Sequence, residues 1–458
     1  TPNAEQFITK VTMQALSGRQ VLGSQWDDTP VNGVANNMPH INATRGADAI
    51  VIAPCSADFM AKLLHGRADE LLSLMCLARP IAEVPLILAP AMNREMWANP
   101  ATQRNVAQVA QDGAVVLGAQ GQVLRPAILW NDGRASAECA ALEQAVPTSR
   151  QITGNLAMPG FTAPKLLWLR THEPALFAQI RTVLLPKDWL RLQLTGTAVS
   201  DMSDASGTLW LDVQARAWSP AMLQACGLDA SHMPALAEGN APAGTLLGDV
   251  ARRWGLGEGV VVAAGAGDNA ASAVGVGART AGQGFVSLGT SGVVFRVTDA
   301  FAPATERAVH AFAHALPQRW HHMSVMLSAA SAFGWVTRLT GRGDEAQLSA
   351  AVGALPASRQ AQAPLFLPYL SGERTPHNNA AATGVFMGLR AEHDAADLAY
   401  AVMEGVGFGL LDGLNAMRAA GGQGRDAEAA LALVGGGARS NPWAQLLASA
   451  LGTPLQRP

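Results

Sequence analysis

Asp268 is the first residue whose type and setting suggest chemistry. It closes Val260-Val-Val-Ala-Ala-Gly-Ala-Gly-Asp268, an apolar run ending in glycines, and Asn269 opens a small-residue helical stretch. A carboxylate on a strand tip can accept a proton from a substrate hydroxyl, and the glycines let a ligand approach the backbone. The same Asp-Asn pair also suits a helix N-cap, and the segment alone leaves both readings open. Gly289-Thr-Ser-Gly292 joins the apolar runs 284–288 and 293–297 and predicts a tight hairpin. Its amides and the Thr290 and Ser291 hydroxyls can cradle a phosphate or simply turn the chain. Gly435-Gly-Gly437 follows the apolar run 430–434 and precedes Asn441-Pro442, which predicts an N-cap with proline at the first helical position. Backbone donors and a helix dipole meet there, a setting for a nucleotide. Phosphoryl transfer needs a base, donors around the phosphates and Mg²⁺, and these strand ends offer candidates for the first two.

Strand tips have to be placed by a fold. In residues 1–118, buried strands are predicted at 49–54, 85–90 and 114–117. Ser56 and Asp58 are helix caps before an amphipathic stretch from Phe59, and a loop at 91–93 leads into a helix to about residue 111. Strand–helix alternation predicts a parallel, doubly wound α/β sheet with ligands at the carboxyl ends of its strands. A second region runs over 119–280 and a third over 281–458. The stretches 354–363 and 419–428 read as loops.

Composition narrows the class. The chain is 49% hydrophobic and 15% charged with a net charge of −3, which fits a globular protein with a sizeable core and gives a nucleic-acid or membrane-surface partner no electrostatic support. Cys55, Cys76, Cys139 and Cys226 form no CxxC pair, so neither a disulfide framework nor a zinc site is expected. With no membrane-length apolar run and no signal-peptide pattern at the start, the cytoplasm is the expected location. Oligomeric state is not encoded legibly; a homodimer is the assembly considered.

Longer motifs sharpen the reading. Leu124-Arg-Pro-Ala-Ile-Leu-Trp-Asn-Asp-Gly-Arg134, Gly160-Phe-Thr-Ala-Pro-Lys-Leu-Leu-Trp168 and Gly384-Val-Phe-Met-Gly-Leu389, continued through Leu398 and Glu404, resemble the signatures of FGGY carbohydrate kinases. Asp201-Met-Ser-Asp-Ala-Ser-Gly-Thr208, Gly267-Asp-Asn-Ala270, Ser287-Leu-Gly-Thr-Ser-Gly292 and Leu370-Ser-Gly-Glu-Arg-Thr-Pro-His377 look like the bacterial xylulokinase branch of that family. The resemblance covers about three quarters of the chain. It implies the two-lobed, ribonuclease H-like α/β fold of actin, Hsp70 and hexokinase. It further implies Mg²⁺-dependent transfer of the γ-phosphoryl of ATP to the terminal hydroxyl of D-xylulose. By the same resemblance Asp268 is the proton acceptor and a sugar contact with Asn269. Gly289, Thr290 and Ser291 face the nucleotide phosphates, and Gly436, Gly437 and Asn441 lie by the adenosine. Trp130 matches a position near the sugar, and reads equally as a core aromatic. Lys165, Trp168 and Glu373 sit in family motifs without an assignable chemical role. Ala266 stands where the family often has glycine.

The first region resembles a different family. Asn36-Asn-Met-Pro-His-Ile41, Gly46-Ala-Asp-Ala-Ile-Val-Ile-Ala-Pro54, Ser56-Ala-Asp58 and Pro90-Ala-Met-Asn-Arg-Glu-Met-Trp97 look like phosphopantothenoylcysteine decarboxylase, a flavoprotein with a Rossmann-like sheet. That resemblance implies His40 and Asn93 as catalytic residues and Ser56 and Asp58 beside FMN. Pro39 departs from the small residue usual before the histidine. The glycine-rich opening and the Ala-Cys-Gly-Glu flap of that family do not occur in the sequence, nor do the Asp-Leu-Gly-Thr-Ser turn and Gly-Gln-Met-His-Gly sugar loop of the kinases. Both ends read as cuts, and the two partial enzymes meet near residues 118–122 without a linker. A chimera of the two is therefore expected, with the kinase part carrying the function and its activity in doubt.

Overall fold

The apolar runs of the first region pair side by side. Strands β1 (Ile50–Cys55), β2 (Leu86–Pro90) and β3 (Ala114–Val116) form a parallel sheet in that order. The computed structural model describes residues 47, 50–55, 57–64, 71–79, 84, 86–90, 114–116, 128, 132–341, 344–421 and 429–457. It divides into one unit of Thr1–Asp132 with Gly248–Glu258 and another of Gly133–Leu247 with Gly259–Pro458. In the first unit, Ile50, Ile52 and Cys55 meet Phe59 and Met60 of α1 (Ala57–Leu64), Cys76 of α2 (Leu71–Ala78), and Leu86 and Leu88. A parallel pair needs a crossover, and α1 and α2 occupy the segment that joins β1 to β2. The helix expected to end near residue 111 lies outside the described residues.

The second unit begins with short pairings. Strand β4 (Val199–Asp201) runs parallel to β7 (Ala235–Ala237), while β5 (Leu211–Asp212) with β6 (Ala217–Trp218) and β8 (Pro242–Thr245) with β9 (Val261–Ala263) are antiparallel. The helices that frame them are α3 (Thr162–His172), α4 (Pro186–Thr195), α5 (Met202–Ser206) and α6 (Asp268–Gly275). Next come β10 (Gly284–Leu288), β11 (Gly292–Thr298), β12 (His310–Ala313) and β13 (Trp320–Met326), then α7 (Ala330–Thr340). After these, β14 (Leu365–Leu367) pairs with β15 (Val385–Met387), and α8 (Ala395–Ala420), β16 (Leu431–Val434), α9 (Asn441–Leu451) and β17 (Leu455–Gln456) complete the unit.

Six of these strands form one sheet in the order β12-β13-β11-β10-β16-β17. From β10 outward one side is antiparallel and the other, β10-β16-β17, is parallel. This mixed arrangement is the ribonuclease H-like one that the resemblance implies. Both faces of its centre are covered. Val286, Leu288 and Val294 join Phe333 and Val336 of α7, Val402, Val406 and Leu410 of α8, and Leu447 of α9. On the other face, Phe285, Phe295 and Val297 meet Ala273 of α6. Coverage on both sides matches the burial of Phe285 on one face of β10 and of Val286 and Leu288 on the other.

Helix α8 runs 26 residues, to Ala420, so the loop expected to open at 419 starts later. The other expected loop holds a helical turn, Ala357–Gln360. Glycines inside α8 weaken it by about 1 kcal/mol each relative to alanine, yet they allow close contact. A Cβ at Gly405 would collide with the Phe366 carbonyl oxygen, and one at Gly413 would stand 2.5 Å from the Ser324 hydroxyl. The glycines thus let the helix lie directly on β13 and β14.

Histidines are buried at the antiparallel end of the sheet. His310 stacks on Phe312, shares a hydrogen bond through Nδ1 with Asn155 Oδ1 at 2.7 Å, and is buried. His321 stacks on Phe295 at 4.2 Å between ring centres. Burial, reinforced by Arg374, lowers His310 to about 3; burial also lowers His314 to about 4. Both therefore stay neutral in the folded protein while the unfolded chain would protonate them near pH 6.5. Folded pKa values below the unfolded value mean that stability is full above about pH 6.5 and falls as the pH drops towards 4. For each such histidine the loss approaches about 1.4 kcal/mol for every pH step below 6.5. Urea midpoints measured from pH 7.5 to 4.5 should fall, and His314→Gln should flatten part of that decline. A wild-type profile level over this range, or a variant with an unchanged slope, would contradict the assignment.

Candidate active site

Two glycine-rich segments leave the sheet next to each other. Strands β10 and β16 are parallel neighbours, with Ser287 opposite Val434, so residues 289–291 and 435–437 emerge at the same carboxyl edge. Gly435 has φ +93°, and a Cβ on it would stand 2.8 Å from the Leu288 carbonyl carbon and oxygen. A Cβ on Gly437 would lie 2.6 Å from Leu288 Cδ2. The glycines allow the second loop to rest on the residue that starts the first. Gly436 is exposed and open.

The hairpin expected at 289–292 is present, with Gly292 already in β11. Its carbonyls face α7. Ala330 N–H donates to the Gly289 carbonyl at 2.8 Å; Ala329 N–H and the Ser331 hydroxyl donate to the Thr290 carbonyl at 3.0 and 2.7 Å. These bonds also satisfy amides at the start of α7 that would otherwise lack partners. In a planar trans peptide the N–H points opposite to its C=O. The amides of Thr290 and Ser291 are therefore turned away from α7, on two residues that are solvent-accessible. Adjacent outward amides beside two hydroxyls are a geometry that can receive an anion.

Asp268 begins α6, whose Ala273 packs on the β10–β11 face. The N-cap is Gly267, so Asp268 is the first helical residue rather than the cap. Its carboxylate is exposed and accepts from the Asn269 backbone amide at 2.7 Å and side-chain amide at 3.0 Å. Asn441 shows a similar one-residue shift. Ser440 caps α9 by accepting from Trp443 N–H at 3.2 Å, whereas Asn441 is already helical and accepts from Arg457 at 2.7 Å. The shorter serine side chain holds the cap geometry in place of the asparagine. Trp130, His40, Ser56 and Asn93 lie outside the described residues. Asp58 is the second residue of α1, and its side chain also lies outside them.

A charged cluster holds the strand tip that carries Asp268. Lys187 of α4 pairs with Asp188 and Asp201, each at 2.6 Å, and with Asp204 at 3.5 Å. Asp188 and Asp201 are buried. Burial would lower the Lys187 ammonium, but the three carboxylates hold it above its ordinary value. Burial pushes Asp204 up to about 6 against the pull of Lys187. Arg191, one helical turn along, pairs with Asp188 and donates to the carbonyls of Val199 and Ala264. Ser203 donates to Asp201 at 2.5 Å and accepts from Gly267 N–H at 3.0 Å. Ala264 and Gly267 bracket the turn into α6, so Arg191 and Ser203 fix its two ends. Lys187, Asp188 and Arg191 belong to none of the sequence motifs. The signal they do carry is Lys187-Asp188 and Arg191 spaced along one helix in a charge-poor chain, opposite Asp201 and Asp204, since buried charges come paired.

Two motif residues find structural roles. Lys165 of α3 donates to the Gly160 carbonyl at 2.7 Å, closing its own signature loop. Trp168 stacks on His172 and lies beneath Arg134. Burial pushes the Cys55 and Cys139 thiols up to about 12 and Cys226 to about 11, which removes them as thiolate nucleophiles near neutral pH. A cavity of about 10 Å³ lined by Thr162, Asp188, Ser200 and Trp210 has room for one water and none for a sugar. Among the described residues no cluster of three or more His, Cys, Asp or Glu could hold a metal ion, and no helix is long and apolar enough to cross a membrane.

Known families match three stretches of the chain, of which the first two in chain order overlap. Residues 106–275 match the N-terminal domain of the FGGY family of carbohydrate kinases, and residues 284–458 its C-terminal domain. Residues 1–147 match the Flavoprotein family. The chain is 57% identical to the xylulose kinase of Escherichia coli (strain K12) over 343 residues, which are 75% of this chain and 69% of that protein. It is 54% identical to the xylulose kinase of Klebsiella pneumoniae, again over 75% of this chain and 69% of that protein. The crystal structure of a xyloylose kinase from Brucella ovis superposes with a TM-score of 0.70 at 45% identity, covering 80% of this chain and 78% of that one.

Replacing Lys187 with methionine should leave Asp201 buried without its cation and Asp188 with Arg191 alone. Breaking a buried pair from one side costs about 3–5 kcal/mol, so the urea midpoint of Lys187→Met should fall sharply. A midpoint close to wild type would show that the cluster does not hold the turn.

Proposed function

The chain belongs to the FGGY family of carbohydrate kinases, and from that premise we propose that it transfers the γ-phosphoryl of ATP to the terminal hydroxyl of D-xylulose. The observation that carries this reading is the pair of outward amides on Thr290 and Ser291, beside the glycine loop on the adjacent parallel strand. In this reading residues 119–280 and 281–458 are the kinase's N- and C-terminal domains. Asp268 takes the proton of the attacking hydroxyl, and Asn269 and Trp130 contact the sugar. Gly289, Thr290 and Ser291 receive the phosphates through backbone and hydroxyl donors, while Gly436, Gly437 and Asn441 border the adenosine. Mg²⁺ enters with the nucleotide, held through its phosphates, and neutralises charge on them. The reading places the protein in the cytoplasm. It includes pairing of two copies, which would cover the exposed apolar cross-strand pairs Leu365–Met387 and Leu367–Val385.

A second reading concerns residues 1–118 alone. The parallel β1-β2-β3 sheet and the Flavoprotein match favour an FMN site there, with Ser56 and Asp58 at the flavin and His40 and Asn93 as the catalytic pair of a decarboxylase. Flavin absorbance in the purified protein tests it, and a colourless preparation that takes up no added FMN would remove it.

For the kinase, ATP consumption should depend on D-xylulose and drop by about 10²–10⁴-fold in Asp268→Ala, the range for loss of a general base. ATP turnover that ignores the sugar, or that survives the substitution in a well-folded sample, would refute the assignment.

A further inference from the structure

Glu373 stands in a sequence motif to which the proposed chemistry gives no task, yet it is almost wholly buried, at 3% exposure. Its Oε1 accepts from Leu327 N–H at 3.1 Å and from Arg374 N–H at 2.7 Å. The loop that carries it is fastened on both sides. Glu373 exchanges two backbone bonds with Asn379, each 2.8 Å. Thr375 N–H donates to the Val325 carbonyl at 3.1 Å, and its hydroxyl accepts from Val325 N–H at 3.1 Å while donating to the Ala308 carbonyl at 2.8 Å. Val325 and Leu327 lie on either side of Met326, which ends β13 opposite Gly292, where the phosphate hairpin closes.

The chain therefore leaves β13 at a residue gripped by Glu373, and two residues later begins the contacts with the hairpin. Ala329, Ala330 and Ser331 hold the carbonyls of Gly289 and Thr290, and that hold turns the Thr290 and Ser291 amides outward. We propose that Glu373 is a positioning residue for the phosphate hairpin, fixing Leu327 so that the segment 327–331 clamps the hairpin's carbonyls and aims its amides at a nucleotide phosphate. This deepens the kinase reading and rests on it for the identity of the ligand, though not for the clamp. Burial raises the carboxyl to about 7, against the two amides and the Arg374 charge. A neutral side-chain carbonyl can accept the same two bonds, so glutamine is the faithful substitute and alanine the disruptive one.

The experiment compares wild type, Glu373→Gln and Glu373→Ala by calorimetric titration with MgATP and, separately, with adenosine. Losing an acceptor for buried amides should weaken MgATP binding by about tenfold or more in the alanine variant, leave adenosine binding unchanged, and be largely rescued by glutamine. Equal MgATP affinity in all three proteins, or equal weakening towards MgATP and adenosine, overturns the positioning role. Hydrogen exchange of the peptides spanning 287–293 and 326–332 separates this from failure of the kinase reading. If wild type binds neither ligand, the nucleotide assignment falls. Faster exchange at both peptides in alanine but not glutamine then still supports the clamp, and unchanged exchange refutes it.

Discussion

The parallel pairing of β10 with β16 is the constraint on which the site depends. Strands that run the same way deliver their following loops to the same edge, so a register that sets Ser287 beside Val434 brings residues 289–291 and 435–437 together. Leu288 is the contact between them. Its backbone is approached so closely by Gly435 that any side chain there would collide with it, and a positive φ at the same position makes the requirement twofold. Both faces of the sheet at this point are covered, by α7, α8 and α9 on one side and α6 on the other.

Around that edge, the orientation of peptide groups matters more than side-chain charge. The hairpin has no basic residue of its own. Its capacity for an anion comes from carbonyls engaged on one side, which leaves amides for the other. Charge is used instead beneath the turn into Asp268, where Lys187 and Arg191 meet Asp188, Asp201 and Asp204. A buried ion cluster is a weak source of net stability, because desolvation offsets much of the attraction. It does fix geometry, through Arg191 on Ala264 and Ser203 on Gly267, at both ends of a glycine-rich turn that would otherwise be free to move.

Much of this is legible in the sequence, for identifiable reasons. The runs at 49–54, 85–90 and 430–434 are apolar throughout, those at 284–288 and 293–297 are broken only by Ser287 and Arg296, and such runs are hard to miss. The hairpin is visible because it lies between two of them. The caps fall one residue earlier than their sequence signals, at Gly267 and Ser440. Asp-Asn and Asn-Pro are good capping pairs, and only backbone geometry decides which residue leaves the helix first. The cluster at Lys187 and the role of Glu373 are harder to read for a different reason. Beside a neighbour in sequence, each depends on partners far along the chain, 14 and 17 residues away for Lys187 and 46 for Glu373, and local patterning does not pair residues at that range.

The two matches to known families also differ in what the structure adds to them. The first unit has a core of its own, drawn from residues 50 to 88, and the kinase signatures build separate cores from residue 199 onward. The flavin reading rests on β1-β2-β3 and the phosphoryl-transfer reading on β10 and β16. For the kinase part the decisive geometry is therefore internal to the second unit: two loops at one sheet edge, a carboxylate heading the helix packed on that sheet, and a buried glutamate behind the hairpin.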